Sequence, residues 1–360
     1  MTKPAPDLSK KIPRQKDFQR NHEGKEIGLF SIANGSEIRI FITNYGARIV
    51  GILVPSAGGR VDNVVLGYDS IQDYFDSREP YYGATIGRYG NRIANGDFTL
   101  NGKRYDLECN EPPHHLHGGN RGFHSVVWDV CEIGNSNLTL RHLSEDGVDG
   151  YPGNLLVEVR FSINSNGELI IDYSAKTDKQ TIVNLTNHAY FNLSGAGNGS
   201  VSDHLLSVEA EFFTPVDEFM IPTGEIKKVA DGPFDFEMEK RMGRDWDQLD
   251  PQLIIAGGYD HNFVLNKSRT DIPELAARVK DPVSGRILEI ETTELGIQFY
   301  TANALGGEDI GREKIPYEAR SAFCLEPQHF PDSPNQENFP SVILNPDSYY
   351  SSRTIYRFRI

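Results

Sequence analysis

A histidine sits in the middle of TIVNLTNHAYFNLSG, residues 181 to 195, and a β-strand there would place it in a polar row. One parity reads Val183, Leu185, Asn187, Ala189, Phe191, Leu193; the other reads Asn184, Thr186, His188, Tyr190, Asn192, Ser194. Imidazole titrates close to physiological pH, so His188 among hydrogen-bonding neighbours is a candidate proton donor or acceptor. A separate candidate for proton exchange is Glu326 in SAFCLEPQHF, preceded by Ala322, Phe323, Cys324 and Leu325 and followed by Pro327. That company withdraws a carboxylate from water and lifts its pKa toward neutrality, provided no cation lies against it. A structural histidine and an ion-paired glutamate at a strand end are the plain alternatives.

Further polar residues cluster in three segments. PPHHLHGGNRGFHSVVW carries four histidines; period 2 puts His115 and His117 on one strand face and His114 on the other, so at most two converge. Zinc needs three or four ligands in fixed geometry, and no spaced Cys/His set or HExxH helix is present, so no metal site is expected. Gly118-Gly119 suits a chain reversal or a close ligand approach beside His117. IGRYGNRIANGDF sets Arg92 in a glycine-punctuated loop, where a guanidinium fork suits an anion or adjacent hydroxyls. In GGYDHNFVL, Asp260 alternates with Tyr259 and His261 and suits either a polyol or a turn cap, while Gln298 shares a strand face with Gly296 and Tyr300. Together these residues are the inventory of a sugar-binding cleft: bidentate polar groups beside flat apolar walls.

The elements that must hold them read as short strands. Asn101-Gly102, Asn166-Gly167 and Gly58-Gly59 each interrupt alternating segments and predict hairpins. The 34 Gly and 20 Pro, beside 19 Phe and 16 Tyr, favour strands and tight turns. The clearest helix candidate is short: Ser70 caps IQDYFDS, with Asp73 three residues on. No run of amphipathic helices alternates with the strands, so a doubly wound sheet is disfavoured and the fold class is all-β. A length of 360 residues admits one large β domain, and no linker marks a boundary. The 36 basic against 51 acidic side chains, net −15, repel phosphate backbones and anionic membranes, so neither nucleic acid nor membrane is expected as a partner. Cys109, Cys131 and Cys324 form no CxxC pair and read as free thiols. No apolar run reaches the ~18 residues of a membrane span, and the basic N-terminus lacks a signal core; a cytoplasmic protein is expected, a removed secretion signal being the alternative.

The blocks NYGARIVGILVP, NVVLGYDSIQDYF, YYGATIGRYGNRIANGDFTLNGKRYDL, HHLHGGNRGFHSVVW, NLTNHAYFNLSG, DEFMIPTGEI, GGYDHNFVL, GIQFYTAN and CLEPQHFPDSPNQENFPSVIL resemble the aldose 1-epimerase (galactose mutarotase) family, in order, over roughly residues 18 to 358. The resemblance implies a large antiparallel β-sandwich of the mutarotase supersandwich type with a few short helices. One domain over 18–360 would follow a flexible lead-in of residues 1–17. It also implies an open cleft for an aldohexose such as D-glucose or D-galactose and no cofactor; a monomer and a homodimer both stay open. By motif, Glu326 matches the catalytic base and His188 the catalytic acid, while Arg92, His117, Asp260 and Gln298 match sugar contacts, joined by Asn91. A glycosidase would need two opposed acids at the scissile bond, and a hexose-phosphate mutarotase a basic cluster for the phosphate. A non-catalytic carbohydrate-binding protein would have no use for the pair of His188 and Glu326.

Overall fold

Turn chemistry sets the local frame. A computed structural model describes residues 12–35, 37–267 and 269–360. Asn101 (φ 53°) and Gly102 (φ 73°) turn Asp97–Leu100 back onto Lys103–Asp106, and Asn166-Gly167 turns Leu155–Ile163 onto Leu169–Thr177. Gly58-Gly59 does the same between Arg48–Pro55 and Val61–Asn63. Helix Ile71–Asp76 starts where expected, with the Ser70 hydroxyl accepting from Asp73 N. A second helix, Pro251–Ala256, escaped the sequence reading; Asp250 caps it, proline takes its first turn and Gly257 (φ 66°) ends it. Of the expected lead-in, residues 1–11 lie outside the described residues, and Gln15–Phe18 forms a 3-10 turn that buries Phe18.

Among the described residues the largest sheet has nine antiparallel strands, with Asp129–Ile133 at one edge and Lys240–Arg241 at the other. The C-terminal strand Tyr350–Arg359 lies inside it, between Leu169–Thr177 and Ile287–Thr292. Against its inner face pack a four-stranded sheet (Leu29–Ile32, Arg39–Thr43, Arg48–Pro55, Val61–Asn63) and a five-stranded sheet. The latter runs Lys227–Lys228, Phe212–Phe213, Asp260–Val264, Gly296–Tyr300, Cys324–Gln328. One apolar core joins all three, with Phe161, Ile171 and Phe358 meeting Phe263, Phe299 and Leu325. Each such side chain contributes about 1.5–3 kcal/mol by leaving water. The architecture is the antiparallel β-sandwich that the sequence predicts. No described helix is long and apolar enough to cross a membrane.

Candidate active site

Alternation in the five-stranded sheet decides which side chains leave the core. Phe263, Ile297, Phe299 and Leu325 enter it, so Asp260, Gln298, Tyr300, Cys324 and Glu326 face the opposite side. Register then aligns them: Asn262 pairs with Gln298 and Gln298 with Glu326, while Asp260 pairs with Tyr300 and Tyr300 with Cys324. Gln298 Nε2 donates to Asp260 Oδ1 at 2.7 Å. These residues floor a cleft of about 490 Å³, lined by Asp260, Glu326 and Tyr300; Gln298 sits behind Asp260 rather than in the lining.

His188 reaches the same cleft from another segment. Residues 181–195 are not one strand: only Thr181–Ile182 and Thr186–Asn187 are extended pairs, and both parities are buried from 181 to 193. The polar row is therefore not a cleft wall. Asn184 donates to Gly90 O and His329 O and accepts from His329 N, and Asn192 donates to Gly199 O and Ser321 O. These amides satisfy backbone groups that burial would otherwise leave unpaired. Of the row, only His188 and Tyr190 line the cleft. Backbone bonds from His188 N to Ala84 O and from Gly83 N to His188 O, both 2.9 Å, fix the histidine in place. Its ring lies between Tyr190 and Tyr81, with centroids 4.9 and 5.8 Å away.

The expected pairing of His115 with His117 fails. The short strand His115–Leu116 ends at His117, whose φ of 52° breaks the alternation. His115 turns into the protein to meet Tyr151 Oη at 2.7 Å, and His114 Nδ1 accepts from Asn95 N. Gly118 makes the reversal feasible, because a Cβ there would stand 1.9 Å from Gly87 O. His117 alone enters the cleft; its Nδ1 accepts from Asn91 N at 3.1 Å, which assigns the ring proton to Nε2. Asn91 also accepts from Arg92 N through Oδ1, and both residues line the cleft. Arg92 is gripped by Glu111 through bonds of 2.6 and 2.9 Å and stands 3.9 Å from Asp260. Among the described residues, the His/Cys/acid group close enough to share a cation is His188, Cys324 and Glu326, with donor atoms within 4.8 Å of one another, not the histidine-rich segment.

His188 Nε2 is 3.6 Å from Glu326 Oε1, and both side chains are buried. Glu326 Oε2 has no hydrogen-bond partner among the described residues. Burial raises the Glu326 carboxyl well above its ordinary value, and the acids Asp260 and Glu79 add to the rise. Burial also pushes His188 down to about 3, with the Arg48 charge contributing. His117 is held well below its ordinary value by burial, then by His188. Glu79 is a cleft residue that the sequence reading missed; burial raises it to about 7. It precedes Pro80 in a loop, where no periodicity reports which way a side chain points.

The structure is a β-sandwich in which a buried acid on the outer face of one sheet and a histidine from a separate segment meet in one cleft. The aldose 1-epimerase family model matches residues 28–357. The chain belongs to that family, an isomerase family acting on small sugars. It is 42% identical over 324 residues to the galactose mutarotase of Bos taurus, covering 90% of this chain and 92% of that protein. It is 34% identical over 338 residues to the aldose 1-epimerase of Escherichia coli K12, covering 93% and 96%. A solved GalM/aldose epimerase homologue from C. elegans superposes with a TM-score of 0.85 at 30% identity, covering 92% of this chain and 99% of that one.

Proposed function

We propose that this protein interconverts the α and β anomers of free aldohexoses such as D-glucose and D-galactose, with Glu326 and His188 exchanging the protons. The observation that carries this reading is the buried His188–Glu326 pair, 3.6 Å apart at the cleft floor, with one carboxylate oxygen unpartnered among the described residues. Glu326 takes the proton of the C1 hydroxyl while His188 gives one to the ring oxygen, so neither an alkoxide nor an oxocarbenium ion stands alone. The C1–O5 bond breaks and the aldehyde forms. Rotation about C1–C2 presents the other carbonyl face, and closure reverses both transfers. Arg92, His117 and Asp260 hold the remaining hydroxyls, with Asn91 and Gln298 fixing His117 and Asp260.

The pair needs one proton in all. In the empty cleft burial disfavours charge on both groups, so that proton rests on the Glu326 carboxyl. Hydrogen bonds from sugar hydroxyls stabilise the carboxylate and favour moving the proton to His188. Neither proton transfer calls for a redox or electrophilic cofactor.

Polarimetry on freshly dissolved α-D-glucose and α-D-galactose tests the reading. Approach to equilibrium should accelerate in proportion to protein added. A trace equal to buffer overturns the proposal, and aglycone released from a glycoside would indicate a hydrolase instead.

A further inference from the structure

Glu79 occupies the cleft beside the proton-exchanging pair. Its carboxylate accepts from Tyr81 N at 3.0 Å and is hydrogen-bonded by Tyr190, the ring stacked on His188. With Asp260, Glu326 and Glu111 it makes four acids lining a space whose histidines, His117 and His188, burial disfavours in the charged form. Among the described residues, Arg92 is the permanent cation of the lining, and Glu111 occupies its fork through two bonds. Arg48 acts on Glu79 from behind, but it is fully buried and donates to the carbonyls of Pro80, Tyr82 and His124. Tyr81, Tyr190 and Tyr300 set aromatic rings around the same space, and Glu326 Oε2 is buried there without a partner.

Carboxylates flanked by tyrosine rings are the chemistry that receives an ammonium group, and acids that outnumber the cations of a partly desolvated cleft disfavour an anion. A neutral hydroxyl can hydrogen-bond to Glu79 in either protonation state. An ammonium does so only with the carboxylate, and its charge favours that ionised form. Tyr190 joins Glu79 to His188, so a charged substituent held at Glu79 lies one side chain away from the proton-exchanging pair.

We propose that Glu79 sets the charge preference of this cleft, so that aldoses bearing an ammonium group are accepted as substrates and phosphorylated aldoses are turned away. The proposal rests on the anomer-interconverting reading above and adds a substrate class to it. Glu79 is a specificity residue here, with no proton transfer of its own.

The test measures kcat/KM at pH 7 for mutarotation of D-glucosamine, D-glucose and D-glucose 6-phosphate, in the unaltered protein and in Glu79→Gln and Glu79→Asp. The unaltered protein should process glucosamine at least as efficiently as glucose, and the phosphate about tenfold less efficiently or worse. Glu79→Gln should lower the glucosamine-to-glucose ratio and raise the phosphate-to-glucose ratio, each by about tenfold. Glu79→Asp, which keeps the charge, should preserve the direction of both preferences. Ratios that stay unchanged in Glu79→Gln, or that move together, overturn the proposal, as does glucosamine left at its buffer rate while glucose is accelerated. If glucose itself is not accelerated, the catalytic reading fails. Calorimetric binding of the same three sugars then decides the charge preference by the same two ratios.

Discussion

Asn184 Oδ1 accepts from His329 N at 2.9 Å while its Nδ2 donates to Gly90 O at 3.0 Å and His329 O at 3.2 Å. One buried amide thus ties the chain just beyond Glu326 to the chain just before Asn91 and Arg92, four residues ahead of His188. Three segments far apart in sequence are held in one geometry by a side chain that lines no cleft. Proton exchange between positioned groups depends on such distances, because displacement of about 1 Å can cost on the order of 10²-fold.

Asn184→Ala leaves buried backbone groups without partners, at about 1–3 kcal/mol for each group stranded. Urea unfolding should show a loss of roughly 2–4 kcal/mol, on the same principle. In the folded variant kcat should fall while the pH profile keeps its limbs. Wild-type stability together with wild-type kcat would show that the clamp has no role.

Glu326→Gln separates chemistry from fold. Turnover should drop on the order of 10²–10⁴-fold with the loss of the proton acceptor. Stability should not drop. A carboxyl whose folded pKa is raised loses stability as pH climbs from its unfolded value, about 4.3, toward the folded one, and the amide removes that cost. Thermal unfolding at pH 7 should therefore give an equal or higher Tm for the variant. A lower Tm would mean that the carboxylate is structurally paired.

His188→Asn tests the division between binding and proton transfer. If His188 delivers the proton, kcat should fall by about 10² or more while KM stays within a few-fold. Equal losses in both would reduce His188 to a binding residue.

The pH dependence follows from the proton count of the pair. On the proposed mechanism activity needs one proton shared by His188 and Glu326; a second arrives only as pH falls toward about 3, and the one present leaves only as pH rises through the raised value of Glu326. The kcat/KM profile of the free enzyme should accordingly stay flat through pH 6.5, with its acid limb well below the ordinary imidazole value. An acid limb at 6.5 would show an imidazole titrating as it does in water.

A second pair carries a stability signature. His329 Nδ1 lies 2.7 Å from Glu294 Oε2, with Glu294 buried and also receiving Tyr350 Oη. Glu294 raises the His329 pKa against the opposing effect of burial, and His329 in turn lowers that of Glu294. The His329 contribution is complete below its unfolded value near 6.5 and is lost as pH rises through the folded value; that of Glu294 is present above about 4.3 and is lost as pH falls through its folded value. The native protein should lose Tm as pH rises above 6.5, and His329→Gln should make that decline shallower. An unchanged slope would show that the pair does not titrate.

Much of this was legible in the sequence, for identifiable reasons. Asn-Gly and Gly-Gly turns announce their own hairpins, and the alternation of Phe263 against Asp260 and the shared face of Gln298 and Tyr300 report which side chains leave the core, whereas Glu326 reads only as an acid in an apolar run. The order of strands was not legible: Tyr350–Arg359 pairs with Leu169–Thr177, nearly two hundred positions away, and no local rule encodes that partner. The segment around His188 misled because period 2 assumes one wet face, whereas residues 181–193 are buried on both, and its asparagines serve neighbouring backbones. His117 broke alternation through a left-handed backbone, and Glu79 lies in a loop that carries no pattern at all.

Exchange spectroscopy by NMR on D-galactose at anomeric equilibrium tests the central claim most directly, since it reads turnover with no net reaction. Cross peaks between the α and β anomeric protons should grow in proportion to added protein and should return to the buffer level with Glu326→Gln. Cross peaks no stronger with the native protein than in buffer, in a sample where line broadening shows the sugar to be bound, would contradict the account and leave a binding protein without catalysis.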